Sequence, residues 1–209
     1  TLVEGPNDSG KSVLVQQIAW SALRQGLKVT YITTENTVRS LVSQMESLNW
    51  DVTYYFLVGD FRIVTIHTKG IKWNSRVSAR YLRTLLEYIK HRCSSDVIII
   101  DSLTYIVTHA CEEDVLDFFS EARNIVDSRG IVLLVTIHSY ALPEPLFVRI
   151  RSISDGHIVL SLKEFGGRSV RILEIAKLRG AFKYTGNIVT FEVDPVFGIK
   201  VLPYSQVRA

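Results

Sequence analysis

The sequence predicts an α/β fold: a mainly parallel sheet flanked by helices, continued by antiparallel strands toward the C-terminus. Three observations predict it. Short β-branched runs alternate with longer segments of helical period over the first two thirds of the chain. Two of those runs, at 96–101 (DVIIID) and 130–137 (GIVLLVTI), are apolar without alternation, the pattern of strands covered on both faces. From Ser152 onward strand-like runs follow one another, with Gly156, Gly166-Gly167 and Gly186 as turn signals.

Each element has its own local reason. Residues 1–4 read as the tail of a buried strand. The chain begins at Thr1 without a Met, one step from a motif that normally follows a complete strand, so upstream residues are expected. Residues 10–25 carry Leu14, Ile18 and Ala22 on one helical face, with Gly26 as the stop. A strand is expected at 28–34 (KVTYITT) and an amphipathic helix at 37–48. An aromatic-rich connection around 54–61 then leads to a strand at 62–67 (RIVTIH). The aromatic stretch 50–61 could suggest base stacking, but without interleaved basic residues it reads as core or subunit packing. Residues 76–92 place Val77, Leu82, Leu85, Leu86 and Ile89 on one stripe. A helix at 112–127 turns Leu116, Phe119, Ala122 and Val126 inward. The segment after His138 (SYALPEPLFVRIRS) reads as a Pro-broken loop, and antiparallel strands are expected at 153–162, 169–176, 187–193 and 199–202. A single domain over 1–209 is the reading.

Composition bounds the function. With 209 residues, 47% hydrophobic and 22% charged, the chain is neither a disordered tail nor a disulfide miniprotein, and it is long enough for a sizeable core. A net charge of +3 is too mild to demand nucleic acid or an anionic membrane as partner. Two cysteines, Cys93 and Cys111, point to a reducing cytoplasm. No apolar run approaches a membrane span.

The chemistry is concentrated at Gly5-Pro6-Asn7-Asp8-Ser9-Gly10-Lys11-Ser12, which fits G-x-x-x-x-G-K-[ST] between a strand and a helix. In such a loop successive backbone N–H groups converge on phosphate oxygens at a helix N-terminus. Lys11 supplies a mobile charge for the β- and γ-phosphates, and Ser12 a hydroxyl for Mg²⁺. Asp101, at the end of VIIID, is the companion carboxylate for the metal; a cap or turn role is the alternative. Ser102 either bonds the metal shell or starts the loop. Hydrolysis needs a group that orients water, and Glu35 is the candidate, against the alternative of an N-terminal acid of the following helix. His138 is either a γ-phosphate sensor or a solvated strand-end histidine. Glu35, Asp101 and His138 all follow strands, so a parallel sheet brings them to one edge. Lys177 and Arg179, in KLRG, are on the residues alone two cations at a strand end.

Together GPNDSGKS, the strand-end Glu35, DVIIIDS, VTIHS, SDGHI and KLRG resemble the RecA-like ATPases of the KaiC type. EGPNDSGKSVL, GDFRI, Trp73-Asn74, KLRG, Asp194-Pro195 and FGIKV are most similar, within that group, to the accessory ATP-binding proteins of the archaellum, the archaeal motility filament. The resemblance spans nearly the whole chain. It implies a RecA-like P-loop NTPase core that binds ATP and Mg²⁺ and forms a homo-oligomer, a hexameric ring among the options. It implies Glu35 as catalytic base, and Lys177 and Arg179 as groups reaching the γ-phosphate of a neighbouring subunit. This chain has Glu35-Asn36 where KaiC-type proteins commonly carry two adjacent glutamates, a departure that bears on hydrolysis. Implied partners are the archaellum motor ATPase and a membrane-proximal scaffold ring protein, met at the cytoplasmic face of the motor. Three readings stay open: a nucleotide-dependent assembly factor with slow turnover, an active ring ATPase, and a DNA-binding recombinase paralogue. Against the last, the segment after His138 offers only Arg149 and Arg151 as cations.

Overall fold

The computed structural model describes residues 1–165, 168–180 and 187–202. Its strands form one nine-stranded sheet in the order β3-β2-β4-β5-β1-β6-β7-β8-β9. The parallel part holds β1 (Leu2–Gly5), β2 (Val29–Thr33), β3 (Phe61–Thr65), β4 (Val97–Asp101), β5 (Val132–His138) and β6 (Gly156–Phe165). The antiparallel part continues from β6 through β7 (Arg168–Leu178) and β8 (Asn187–Asp194) to β9 (Gly198–Leu202). The expected fold class, a mainly parallel sheet with an antiparallel C-terminal extension, is therefore the observed one.

The doubly apolar strands are covered as their composition demands. In β4, Ile98 and Ile100 face a core formed with α4 (Ser75–His91), α6 (Glu112–Arg129) and α7 (Glu144–Ile153). Val97 and Ile99 face the second core, with α1 (Lys11–Arg24) and α2 (Val38–Ser47). The period of two sends alternate residues to opposite faces, and helices cover both. At the far end of the sheet the antiparallel strands return over α1. The amide of Ile199 donates to Gln17 Oε1 at 2.8 Å, and Phe191 is buried in the second core.

Four elements differ from the expectation. Residues 144–153 are helix α7, not a Pro-broken loop, because Pro143 is the N-cap and Pro145 falls in the first turn, where an amide hydrogen has no partner to lose. Two short helices, α3 (Thr53–Val58) and α5 (Thr104–Val107), lie in stretches read as connections. Gly156 opens β6 instead of marking a turn. The aromatic connection divides: Trp50 and Phe61 are core, whereas Tyr54, Leu57 and Val58 are exposed. Gly166, Gly167 and Gly186 lie outside the described residues. Among those described, no helix is long and apolar enough to cross a membrane.

Candidate functional site

The loop from Pro6 to Gly10 joins β1 to α1 and lies at the carboxyl edge of the parallel strands. Gly5 must be glycine because a Cβ there would meet the Leu160 carbonyl at 2.5 Å and Ser9 Oγ at 2.7 Å. Gly10 has φ +94°, a left-handed conformation, with the Phe191 ring 3.2 Å from where a Cβ would stand. Asp8 is also left-handed, at φ 58°. Alternating hands of this kind turn successive amides to the inside of the loop, making a concave surface for an anion. The buried Ser9 hydroxyl donates to the Pro6 carbonyl at 2.8 Å and braces the turn.

Lys11 is buried and donates to the carbonyls of Gly5 (3.0 Å) and Pro6 (2.7 Å). Burial lowers its pKa from 10.5, and the carboxylates of Glu35, Asp101 and Asp8 oppose that shift. Asp101 is held by three hydroxyls. Ser12 (3.2 Å) and Thr136 (2.7 Å) donate to its Oδ1, and Tyr31 donates to its Oδ2 at 2.7 Å. The Tyr31 pKa is raised well above 10 by burial and by the adjacent carboxylate, so the phenol stays a donor. A serine hydroxyl beside an oriented carboxylate is a donor set that suits a hard divalent cation such as Mg²⁺, and these residues fit it.

Glu35 lies past β2 on the same edge. Its Oε1 accepts from Ser102 Oγ at 2.8 Å, and Ser102 is tied back through its carbonyl to Thr34 Oγ1 at 2.8 Å. It is not an N-terminal helix acid, since α2 is capped by Thr37 and has no acid in its first turn. Asn36 turns away: its Oδ1 accepts from Ser40 (3.1 Å) and Gln44 (3.0 Å) on α2. His138 is partly exposed and hydrogen-bonded. Its Nδ1 lies 2.9 Å from Thr104 Oγ1, and its ring stacks on Tyr140 at 5.2 Å. Burial, then Lys11, lowers its pKa below 6.5, with Asp101 opposing.

Asn7, Asp8, Gly10, Lys11, Ser12, Glu35, Asp101, Ser102 and His138 line one cavity of about 470 Å³, together with Val13, Arg171 and Val193. The sequence reading missed Arg171. It reaches the loop from β7, donating from Nε to the Asp8 carbonyl at 3.1 Å. It also missed Tyr140, whose hydroxyl donates to Asn7 Oδ1 at 3.2 Å. Tyr31 left a signal, a phenol inside an apolar parallel strand; Arg171, on a mixed hairpin strand, left none.

Lys177 and Arg179 are elsewhere. Lys177 pairs in register with His157, which neighbours Leu2, so both cations lie at the amino edge of the parallel strands, opposite the cavity. Lys177 Nζ donates to the carbonyls of Arg151 (2.9 Å) and Ser152 (3.0 Å), and Arg179 pairs with Asp155 at 2.9 Å. Burial, then Arg179, lowers the Lys177 pKa. Close by, Glu4 accepts from Arg151 at 3.0 and 2.8 Å and lies 3.0 Å from His157 Nε2. Burial alone would raise the Glu4 pKa, but hydrogen bonds from His157 and Arg151 hold it below 4.5.

A phosphate loop, a hydroxyl beside a strand-end carboxylate and a mainly parallel sheet define a P-loop nucleotide-binding fold. The comparisons narrow the class. A family model described as "ATPase: KaiC" matches residues 1–206. The archaeal flagellar ATP-binding protein FlaH of Sulfolobus acidocaldarius is 36% identical over 208 residues, covering 100% of this chain and 90% of its own. Its namesake from Methanocaldococcus jannaschii is 30% identical over 96% of this chain and 84% of its own. The crystal structure of the M. jannaschii flagellar accessory protein FlaH superposes with a TM-score of 0.82 at 26% identity, covering 97% of this chain and 88% of that one. The chain belongs to the KaiC family of ATPases, in the branch that carries the FlaH proteins.

Proposed function

We propose that this chain binds Mg-ATP as an accessory protein of an archaellum motor, and that its nucleotide state governs assembly or regulation of the motor complex while hydrolysis is slow. Similarity to FlaH proteins over 96–100% of this chain supports the setting. The observation that carries slow hydrolysis is the state of the water-orienting position. The Glu35 carboxylate is engaged by Ser102, and its neighbour is an amide committed to α2, so one carboxylate stands where two are common. Ser12 and Asp101 would hold Mg²⁺, which would supply positive charge against that of the phosphates. Lys177 and Arg179, remote from their own cavity, would complete the cavity of a neighbouring copy. Docking partners on this reading are the motor ATPase and a scaffold ring at the cytoplasmic side of the membrane.

The test is ATP turnover on protein whose bound nucleotide has been quantified, at the source organism's growth temperature. Near-stoichiometric ATP with turnover far below roughly 1 per second supports the assembly factor. Lys11→Ala should abolish binding, whereas Glu35→Ala should keep binding and lose the residual turnover. Turnover of roughly 1–100 per second, lost on changing Glu35, Lys177 or Arg179, would overturn slow hydrolysis and make the chain an active ring ATPase.

A further inference from the structure

The net charge of +3 conceals a separation of charge. Between residues 61 and 95 there are eight Lys and Arg and one acid, Glu87, which already pairs with His91 at 3.3 Å. Between residues 109 and 122 there are five acids and no Lys or Arg. The first segment contains α4 and the second the start of α6. These helices pack side by side on one face of the sheet.

On α4, Arg76, Arg80 and Arg83 recur at four and three residues, all exposed and opposite the buried stripe of Leu82, Leu85 and Ile89. They border a recess of about 610 Å³ together with Val77 and Ala79. On α6, Glu113, Asp117 and Glu121 recur every four residues, exposed and opposite Val115, Phe118 and Ala122. Among the described residues none of these six side chains forms an ion pair. Each helix leads into a strand of the same parallel pair, β4 or β5, so the two helices run in the same direction. The C-terminal ends of the two helices meet where Arg129 donates to the carbonyls of Ile89 and Cys93. With 17 and 18 residues, the helices bring their N-terminal halves, which carry the stripes, to about the same height.

That arrangement is self-complementary. A two-fold axis parallel to the helices and above the groove between them lays α4 of one copy on α6 of the other without reversing direction. Arg76, Arg80 and Arg83 then face Glu113, Asp117 and Glu121, twice over. We propose that this face is a charge-paired two-fold interface, its occupant a second copy of the same chain. Arginine favours a carboxylate surface, because its planar fork pairs both oxygens of one acid. Neither the phosphate loop nor the KLRG cations take part, so the contact is independent of nucleotide and separate from the head-to-tail contact through which those cations would act. Exposed pairs are individually weak and are screened by salt, so the association is modest and is lost as ionic strength rises.

Sedimentation velocity of the whole chain, without nucleotide, at about 50 mM and about 500 mM salt tests it. Association at low salt should weaken about tenfold or more in Arg80→Glu and in Asp117→Lys, and return when each variant is mixed with the other. Mixing gives a dimer with one native pair of stripes and one in which the central charges are exchanged but still opposite, which a merely structural effect of either substitution would not do. Association unchanged by Arg80→Glu, or single variants that do not rescue each other, would overturn the proposal. So would a wild-type chain that is monomeric at low salt, or whose arginine stripe binds phosphatidylglycerol vesicles or a single-stranded oligonucleotide without any copy-to-copy contact.

Discussion

Tyr31 determines how Asp101 can meet a cation. With its hydroxyl on one carboxylate oxygen and Ser12 and Thr136 on the other, Asp101 is oriented before any ligand arrives. In Tyr31→Phe the buried oxygen loses its donor, at an expected cost of about 1–3 kcal/mol in urea denaturation. The same variant should need more Mg²⁺ for half-maximal ATP binding, with affinity in excess chelator unchanged. Arg171 acts on the loop itself. Its Nε holds the Asp8 carbonyl, and the residue lines the cavity. Arg171→Ala should weaken ATP binding about tenfold by calorimetry, and Arg171→Lys should not restore it, because an ammonium cannot hold the carbonyl and face the cavity together.

At the level of elements, the tie between β1 and α7 is ionic. Glu4 immediately precedes Gly5, and Arg151 bridges it to Glu144 at the start of α7. Since the native carboxyl has a pKa below 4.5, the unfolded chain binds a proton that native Glu4 refuses, between pH 4.5 and that lower value. Stability from this group is thus complete above pH 4.5 and falls as pH drops through the window. Glu4→Gln should cost about 2 kcal/mol at neutral pH and flatten the acid limb of a stability profile. The same segment shows what a sequence does and does not disclose. Strands β4 and β5 were legible because burial on both faces leaves an unbroken apolar run. Helix α7 was not, since Pro143 and Pro145 break a helix in its middle but begin one at its end. Lys11 and Ser12 were legible because the spacing of a phosphate loop lies within one stretch of chain, and Asp101 because it ends an unbroken apolar strand. Arg171 was not, because β7 reaches the loop only through the order of strands in the sheet, and that order comes from packing, not local pattern.

For the molecule as a whole, the sheet collects its chemistry at one edge. The loop after β1, Glu35 after β2, Asp101 ending β4 and His138 ending β5 line one cavity, and β7 and β8 close its side. A ligand bound there touches distant parts of the fold at once and is absent from the unfolded chain. At a hundred times its dissociation constant it should therefore add about 2.7 kcal/mol, raising the melting temperature by about 5–10 °C. Lys11→Ala should remove that shift in a thermal melt with ATP while leaving the unliganded melt largely unmoved.

Because Lys177 and Arg179 sit on the edge away from the cavity, the proposed trans role has a consequence for stoichiometry. A head-to-tail row of copies would always end in one cavity without its cations and one pair of cations without a cavity, and only closure into a ring would use every half. Two defective chains, one altered at Lys11 and one at Lys177, would then each be silent alone yet form intact junctions when blended. The activity of such a blend would follow the number of correctly ordered neighbours, not the amount of either chain.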